Sequence, residues 1–396
     1  MANSGPLTDI RVVEMGQLIG GPFCGQLLGD MGADVIKVEQ PGIGDPMRNW
    51  GRGDAKLWWE IVARNKRSVS ADLRRPEGQD LVRQLILKAD ILLENFRPGT
   101  LEKWNLDPVE LRKLNPRLIV IRVSGYGQTG PYSSRPGFGG VGEAMAGFRY
   151  IVGEPDRPPS RAGISIGDSL AASYGCMGAL AALHHREKTG EGQIIDSALY
   201  EAVLQVMESL ITEYQVSGII RERSGAILPG VAPSNVYSCK DGDYMIAGNQ
   251  DSIFRRLCTA MEMPALADDP RFVDHVSRGR NQQELDDLIN QWTRHLTAAE
   301  VEALMVEHAI PGGPVYRAPE MLADPHFAAR EAIIEVESER WGPIKMQNCF
   351  PKFSATPTSV RTAAPSRIGQ HNAEVYGELL GLNDTDLDRL GADGLI

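Results

Sequence analysis

Cysteine is sparse in this 396-residue chain: Cys24, Cys176, Cys239, Cys258 and Cys349 make an odd count of five with no C-x-x-C spacing. That scatter excludes a disulfide framework and a cysteine-built zinc site, and it reads as the reduced thiols of a cytoplasmic protein. No metal is expected. Neither His-Glu-x-x-His nor a Ser/His/Asp arrangement is present, so histidine-dependent hydrolysis finds no support. Basic charge is also short, with 41 Lys and Arg against 52 Asp and Glu and a formal charge of −11. This excludes a global electrostatic grip on nucleic acid or an anionic membrane. No apolar run approaches the roughly 20 residues that span a bilayer. The opening Met1 to Ile10 shows no pattern of a secretory or transit peptide. What is plentiful is Gly, 42 residues, and Pro, 25; such a chain is no coiled coil or helical solenoid but suits an α/β protein with many functional turns.

Strand-like and helix-like segments alternate from the start. Ile10–Met15, Ala33–Glu39, Ser68–Leu73, Ile91–Glu94 and Leu118–Val123 read as strands, with helices at Pro22–Met31, Pro76–Ala89 and Pro108–Asn115, the last with Asp107 as N-cap. The alternation predicts a mostly parallel sheet covered by helices. A Gly/Pro-rich stretch, Gly125–Gly140, precedes a long helix at about Ser169–Lys188, a strand at Ile194–Ser197 and a second long helix at Ala198–Val216. The texture changes near Ser224. A hairpin at Val236–Ala247 and three helices over Ser252–Met261, Asn281–His295 and Thr297–His308 predict a smaller α+β domain. The expected division is a large domain over 1–224, a small one over 225–325, and a return to the large domain over 326–396.

Four constellations carry candidate chemistry. Gly16-Gln-Leu-Ile-Gly20-Gly21-Pro22-Phe-Cys-Gly25 lies between a strand and a helix, with Glu39 ending the next strand. It has the place of a dinucleotide fingerprint but not the G-x-G-x-x-G spacing, and Pro22 removes an N–H that a phosphate would use. A tight turn beside a ligand crevice is the plainer reading. Arg48–Arg75 holds eight basic residues against three acidic ones, which suits either a phosphate-bearing ligand or a solvated charged face. Trp50, Trp58 and Trp59 interleave with these charges. Gly163–Ser169 opens the long helix with Asp168 placed as N-cap; a carboxylate there also has the setting for catalysis, beside a helix N-terminus. Ala247-Gly248-Asn249-Gln250 follows a hairpin strand and is either an ordinary loop or a set of hydrogen-bond donors.

In order and spacing, Gly32–Glu39, Asn65–Ser68, Glu94–Gly99, Gly125–Pro131, Gly167-Asp168, Thr189–Gln193 and Ala232–Ser234 resemble the class III, CaiB-BaiF type, CoA-transferases, nearly end to end. The resemblance implies a Rossmann-like large domain built from both chain ends, a small domain between them, and an interlocked homodimer. It implies that Asp168 is the nucleophile; the backbone at Gly248-Asn249 and the helix N-terminus after Asp168 are then the candidate oxyanion donors. It places CoA against Gln40, Arg74, Asn95, Phe96, Lys103, Trp104 and Arg135, with Gln40 standing where relatives often carry Arg. CoA thioesters are then substrates, and no tightly bound cofactor is expected.

Departures from related subfamilies narrow the expectation. Racemases of the family need a histidine and a glutamate where this chain has Phe138 and Gln250, so proton abstraction beside the thioester is disfavoured. Formyl-CoA:oxalate transferases carry Gln at the position of Ile19 and Tyr near Gly139. The stretch Arg223–Ser234 looks like the dicarboxylate branch that uses succinyl-CoA, and Arg48 or Arg223 is the expected holder of a distal carboxylate. The alternatives are a CoA-ester racemase, a nucleotide-dependent oxidoreductase built on Gly20-Gly21, and a non-catalytic CoA-binding subunit.

Overall fold

A computed structural model describes residues 5–396. The chain divides into two units. The first comprises the described residues up to 148, 162–210 and 329–396; the second comprises 149–161 and 211–328. Both differ from the expected boundaries: the second unit begins before residue 225 and takes in a short upstream segment.

The first unit is built on six parallel strands: β1 Arg11–Glu14, β2 Asp34–Glu39, β3 Lys66–Ser70, β4 Ile91–Glu94, β5 Ile119–Ser124 and β6 Ile194–Ala198. Their order is β3-β2-β1-β4-β5-β6, so the sequence reverses direction beside β1, the switch point at which doubly wound sheets bind ligands. Fully buried Val12, Val13, Ile36, Ile91, Leu92, Val120 and Ile121 form its centre. At the centre of such a sheet both faces are covered, which is why β4 and β5 are buried throughout and read as near-continuous apolar runs rather than alternating ones.

Helix Ile166–Thr189 seats Ala171, Ala172, Cys176, Ala179 and Ala182 in the core on one side. Its small residues allow a close approach, shown by Gly175, where an added Cβ would stand 3.2 Å from Ile121 Cγ2. Among the described residues it is also the one helix long and apolar enough to cross a membrane. Alanines and glycines, not a run of large apolar residues, give it that hydropathy, so the sequence showed no obvious span. The expected second long helix is broken into Leu199–Leu204 and Leu210–Ser217, because Glu208 between them has φ of 52°, left-handed backbone that no right-handed helix continues through.

The chain's end returns to the first unit. Hairpin strands β10 Ile333–Ser338 and β11 Gly342–Gln347 pair antiparallel, and helix Asn372–Leu380 lies beside β3. Before that helix, Ser68 N–H donates to His371 Nδ1 at 3.0 Å and Ser70 N–H to Asn372 Oδ1 at 2.9 Å.

The second unit carries a three-stranded antiparallel sheet, β7 Ser234–Ser238, β8 Asp243–Ala247 and β9 Gly312–Pro314. Its own core packs Tyr237, Ile246, Phe254, Leu257, Leu285 and Ile289. Helix Ala298–Glu307 starts with a reciprocal cap between Thr297 and Glu300.

Candidate active site

The loops after β1, β4 and β5 meet at the carboxyl edge of the sheet. Gln17–Gly20, Asn95–Arg97, Val123–Gly125, Gly137-Phe138, Asp168 and Leu199 line a cavity of about 400 Å³. Asp168 is the third residue of its helix rather than the N-cap, a place Ser165 takes. The buried Glu143 carboxylate accepts the first-turn N–H of Gly167 at 3.3 Å, so the helix start does not rely on Asp168 as its cap. The carboxylate instead stands over Gly139, where an added Cβ would lie 2.0 Å from Asp168 Oδ2. A side chain at position 139 would force the carboxylate to turn.

The wall formed by residues 16–18 is held almost entirely by side chains from elsewhere. Asn95 accepts from Gln17 N–H at 2.7 Å and donates to Gln17 O at 2.8 Å. Lys37 donates to Gly16 O. Asp45 accepts from Leu18 N–H at 3.1 Å, which fixes Leu18 at φ of 62°, a conformation that costs a non-glycine residue energy and that surrounding contacts must impose.

Lys37 and Asp45 belong to a buried cluster. Lys37 Nζ lies 2.7 Å from Asp45 and 3.2 Å from Glu14, while Lys66 Nζ lies 2.6 Å from Glu14, every side chain at most 1 % exposed. Burial opposes the charge on Lys37, but Asp45 and then Glu14 outweigh it and hold its pKa well above the ordinary lysine value. Burial likewise disfavours the Asp45 carboxylate, and Lys37 reverses that, holding its pKa below the usual value. Two carboxylates and two ammonium groups thus neutralise one another beneath the cavity wall. Gly25 makes room for them, since a Cβ there would fall 1.8 Å from Glu14 Oε2. Gly16 and Gly21 pass so close that a Cβ on either would stand 3.0 Å from the other's Cα. The glycine run therefore serves a tight crossing and a buried ion-pair cluster. Glu39 has no ribose to hold: it is fully buried and takes Arg48 at 2.7 Å and Ser68 Oγ at 2.6 Å.

Gln17 and Phe96 also line a narrow neighbouring cleft of about 70 Å³, shared with Gln40, Asp72, Arg74 and Trp104. The rings of Phe96 and Trp104 meet edge to face, 4.9 Å between centroids. Arg74 pairs with Asp72 through Nε and Nη2 at 2.8 and 2.9 Å, yet its side chain is 72 % exposed and open to an anion.

Over residues 7–372 the sequence matches the family described as CoA-transferase family III. The chain belongs to that family. Succinyl-CoA–D-citramalate CoA-transferase of Chloroflexus aurantiacus is 57 % identical over 395 residues, covering 99 % of this chain and 98 % of the relative. Succinate–glutarate CoA-transferase of Agrobacterium fabrum is 37 % identical over 383 residues, 94 % of this chain and 96 % of the relative. The crystal structure of a CaiB/BaiF family protein from Brucella suis superimposes with a TM-score of 0.84 at 34 % identity, covering 95 % of this chain and all of that one. The chain is a family III CoA-transferase.

Of the CoA contacts that the family resemblance implies, the structure gathers Gln40, Arg74, Phe96 and Trp104 around one cleft. Asn95 lines the adjoining cavity, but both polar atoms of its amide are engaged by Gln17. Lys103, in helix Thr100–Lys103, and Arg135, stacked 3.5 Å over the Tyr132 ring, line neither space. The basic run Arg48–Arg75 is not one patch, because acids from distant segments claim it: Arg64 pairs with Asp30, Lys66 with Glu14, Arg67 with Asp34.

Neither arginine expected to hold a distal carboxylate is offered to one. Arg48 grips Glu39 through two nitrogens, both at 2.7 Å, and stacks 3.9 Å over the buried Trp59. Within the second unit, Arg223 donates to Tyr150 O at 2.9 Å and Glu154 O at 3.2 Å, which ties the upstream segment 149–161 into that unit. Gly248 follows β8 and gives its N–H to Pro233 O at 2.9 Å, so it has no N–H left for an oxyanion. Asn249 O and Asp251 are held by Arg278, a fully buried residue with no sequence signal, at 2.7 and 2.6 Å. Gln17, Arg97 and Ser124 line the Asp168 cavity as well, none of them among the expected site residues. Each lies inside or beside a motif already singled out, which is the signal that was there to use.

Proposed function

We propose that this enzyme transfers CoA from succinyl-CoA to a dicarboxylic acid through covalent intermediates on Asp168. The observation that carries the reading is the Asp168 carboxylate standing against Gly139 in a cavity that adjoins the Phe96–Trp104 cleft. A CoA chain lying along Gln40, Arg74 and Trp104 leads past Gln17 and Phe96 toward that carboxylate.

Exchanging one thioester for another is near thermoneutral, so the barrier alone must fall. The Asp168 carboxylate attacks the thioester carbonyl, the C–S bond breaks, and an aspartyl mixed anhydride and CoA thiolate result. The thiolate attacks the aspartyl carbonyl, releasing the first acid and leaving an aspartyl-CoA thioester. The incoming carboxylate then attacks that thioester to form a second mixed anhydride, and the freed thiolate takes its acyl group, restoring Asp168. Position three of a helix suits an anionic carboxylate and the oxyanions formed on it.

The relatives' names pair succinyl-CoA or succinate with citramalate, malate, glutarate and mesaconate. A dicarboxylic acceptor needs a cation at its far end, and Arg97 is, among the described residues, the one basic side chain lining the Asp168 cavity. Phe138 in the same cavity offers no proton acceptor, which supports transfer over racemisation. An interlocked cytoplasmic homodimer completes the reading. The test is a screen of dicarboxylic acids with succinyl-CoA, wild type against Asp168→Ala: transfer is expected from the first and lost in the second.

A further inference from the structure

Ser124 ends β5 and lines the Asp168 cavity. The residue is 6 % exposed, and its Oγ has no hydrogen-bond partner among the described residues. A buried hydroxyl without a partner is costly, because its hydrogen bonds to water are lost and nothing replaces them. Such a group is retained at a cost unless something else pairs with it.

The surrounding backbone is built to keep Ser124 where it is. The next residue, Gly125, packs against Gly137 so tightly that a Cβ on either would stand 2.6 Å or less from the other's Cα. That contact locks two strands of loop together, fixing Ser124 on one side and Phe138 on the other as walls of the same cavity. On its sheet side Ser124 is in register with Ala198, which presents only a methyl group. A serine side chain has three staggered positions, and its hydroxyl proton turns freely.

We propose that Ser124 is a substrate-contacting residue: its hydroxyl turns into the cavity and donates a hydrogen bond to the acyl oxygen of the group reacting at Asp168. That oxygen gains negative charge in each tetrahedral intermediate, so the hydrogen bond strengthens as the barrier is approached. The inference rests on the transferase reading and adds a donor on the sheet edge, independent of the helix that carries Asp168.

The unpartnered hydroxyl gives the test its discrimination. In Ser124→Ala, kcat/KM with succinyl-CoA and a dicarboxylic acceptor is expected to fall roughly tenfold to a hundredfold, the loss of one hydrogen bond to a charged group. The melting temperature of the ligand-free variant is expected to stay level or rise, since a buried unsatisfied group has been removed. A structural serine would do the reverse, lowering the melting temperature while leaving kcat/KM within twofold, and that result overturns the proposal. Unchanged kcat/KM at unchanged melting temperature overturns it equally. If wild type itself transfers no CoA to any dicarboxylic acid, the functional reading has failed, and that outcome is separate from an active wild type with an equally active Ser124→Ala.

Discussion

Asp168 and Gly139 touch so closely that a methyl group added to Gly139 would stand 2.0 Å from Asp168 Oδ2. Gly139 begins the helix Gly139–Met145 with φ in the ordinary range, so the demand for glycine here is space and not backbone conformation. In Gly139→Ala the carboxylate must turn away from the cavity. Misplacement by about 1 Å costs roughly a hundredfold in rate, and steady-state kinetics should show that loss in kcat while circular dichroism shows a folded protein.

Lys37 and Asp45 support a second prediction. Removing one partner of a buried ion pair strands the other and typically costs about 3–5 kcal/mol. Lys37→Met should therefore lower unfolding free energy by that order in denaturant titration. Because Asp45 also holds Leu18, Asp45→Asn should weaken activity more than Arg64→Lys, which alters an ion pair away from the cavity.

Arg97 predicts a specificity change. If it holds the far carboxylate, Arg97→Ala should raise KM for a dicarboxylic acceptor roughly tenfold to a hundredfold. A monocarboxylic acceptor of equal length should be affected much less. Equal effects on both would assign Arg97 to CoA instead.

His371 gives the return segment a pH dependence. Burial first, with Arg67 adding to it and Glu374 opposing, holds its pKa below the ordinary imidazole value. The neutral ring accepts from Ser68 N–H. A pKa lower in the folded state than in the unfolded chain means that protonation favours unfolding. The stabilisation is complete above about 6.5, the unperturbed value, and is lost as pH falls through the folded-state pKa. Thermal melts between pH 7.5 and 5 should show a decline that His371→Asn flattens.

The parts of this structure that are local in the chain were legible in advance. The six segments read as strands became the six strands of the sheet, and Asp107 caps its helix by accepting from Val109 N–H at 2.7 Å. Of the residues marked by the family resemblance, Asp168 and Phe96 line one cavity and Trp104 meets the Phe96 ring. Illegible were the features that depend on distant partners. Lys37 and Lys66 sit in strands, and nothing near them says that Glu14 and Asp45 will neutralise them. Arg48 stands in a basic run, and nothing near it in the chain says that Glu39 will hold it. Gly25 reads as part of a tight turn, and the sequence does not say that its missing side chain leaves room for the buried Glu14 carboxylate.

Covalent capture at Asp168 tests the central claim most directly. Wild-type protein is incubated with succinyl-CoA and hydroxylamine, digested and analysed by mass spectrometry. The account predicts a hydroxamate on the peptide containing Asp168, dependent on succinyl-CoA and absent from Asp168→Ala, which also loses transferase activity. Full activity in Asp168→Ala, or capture on another residue with Asp168 unmodified during turnover, would contradict it.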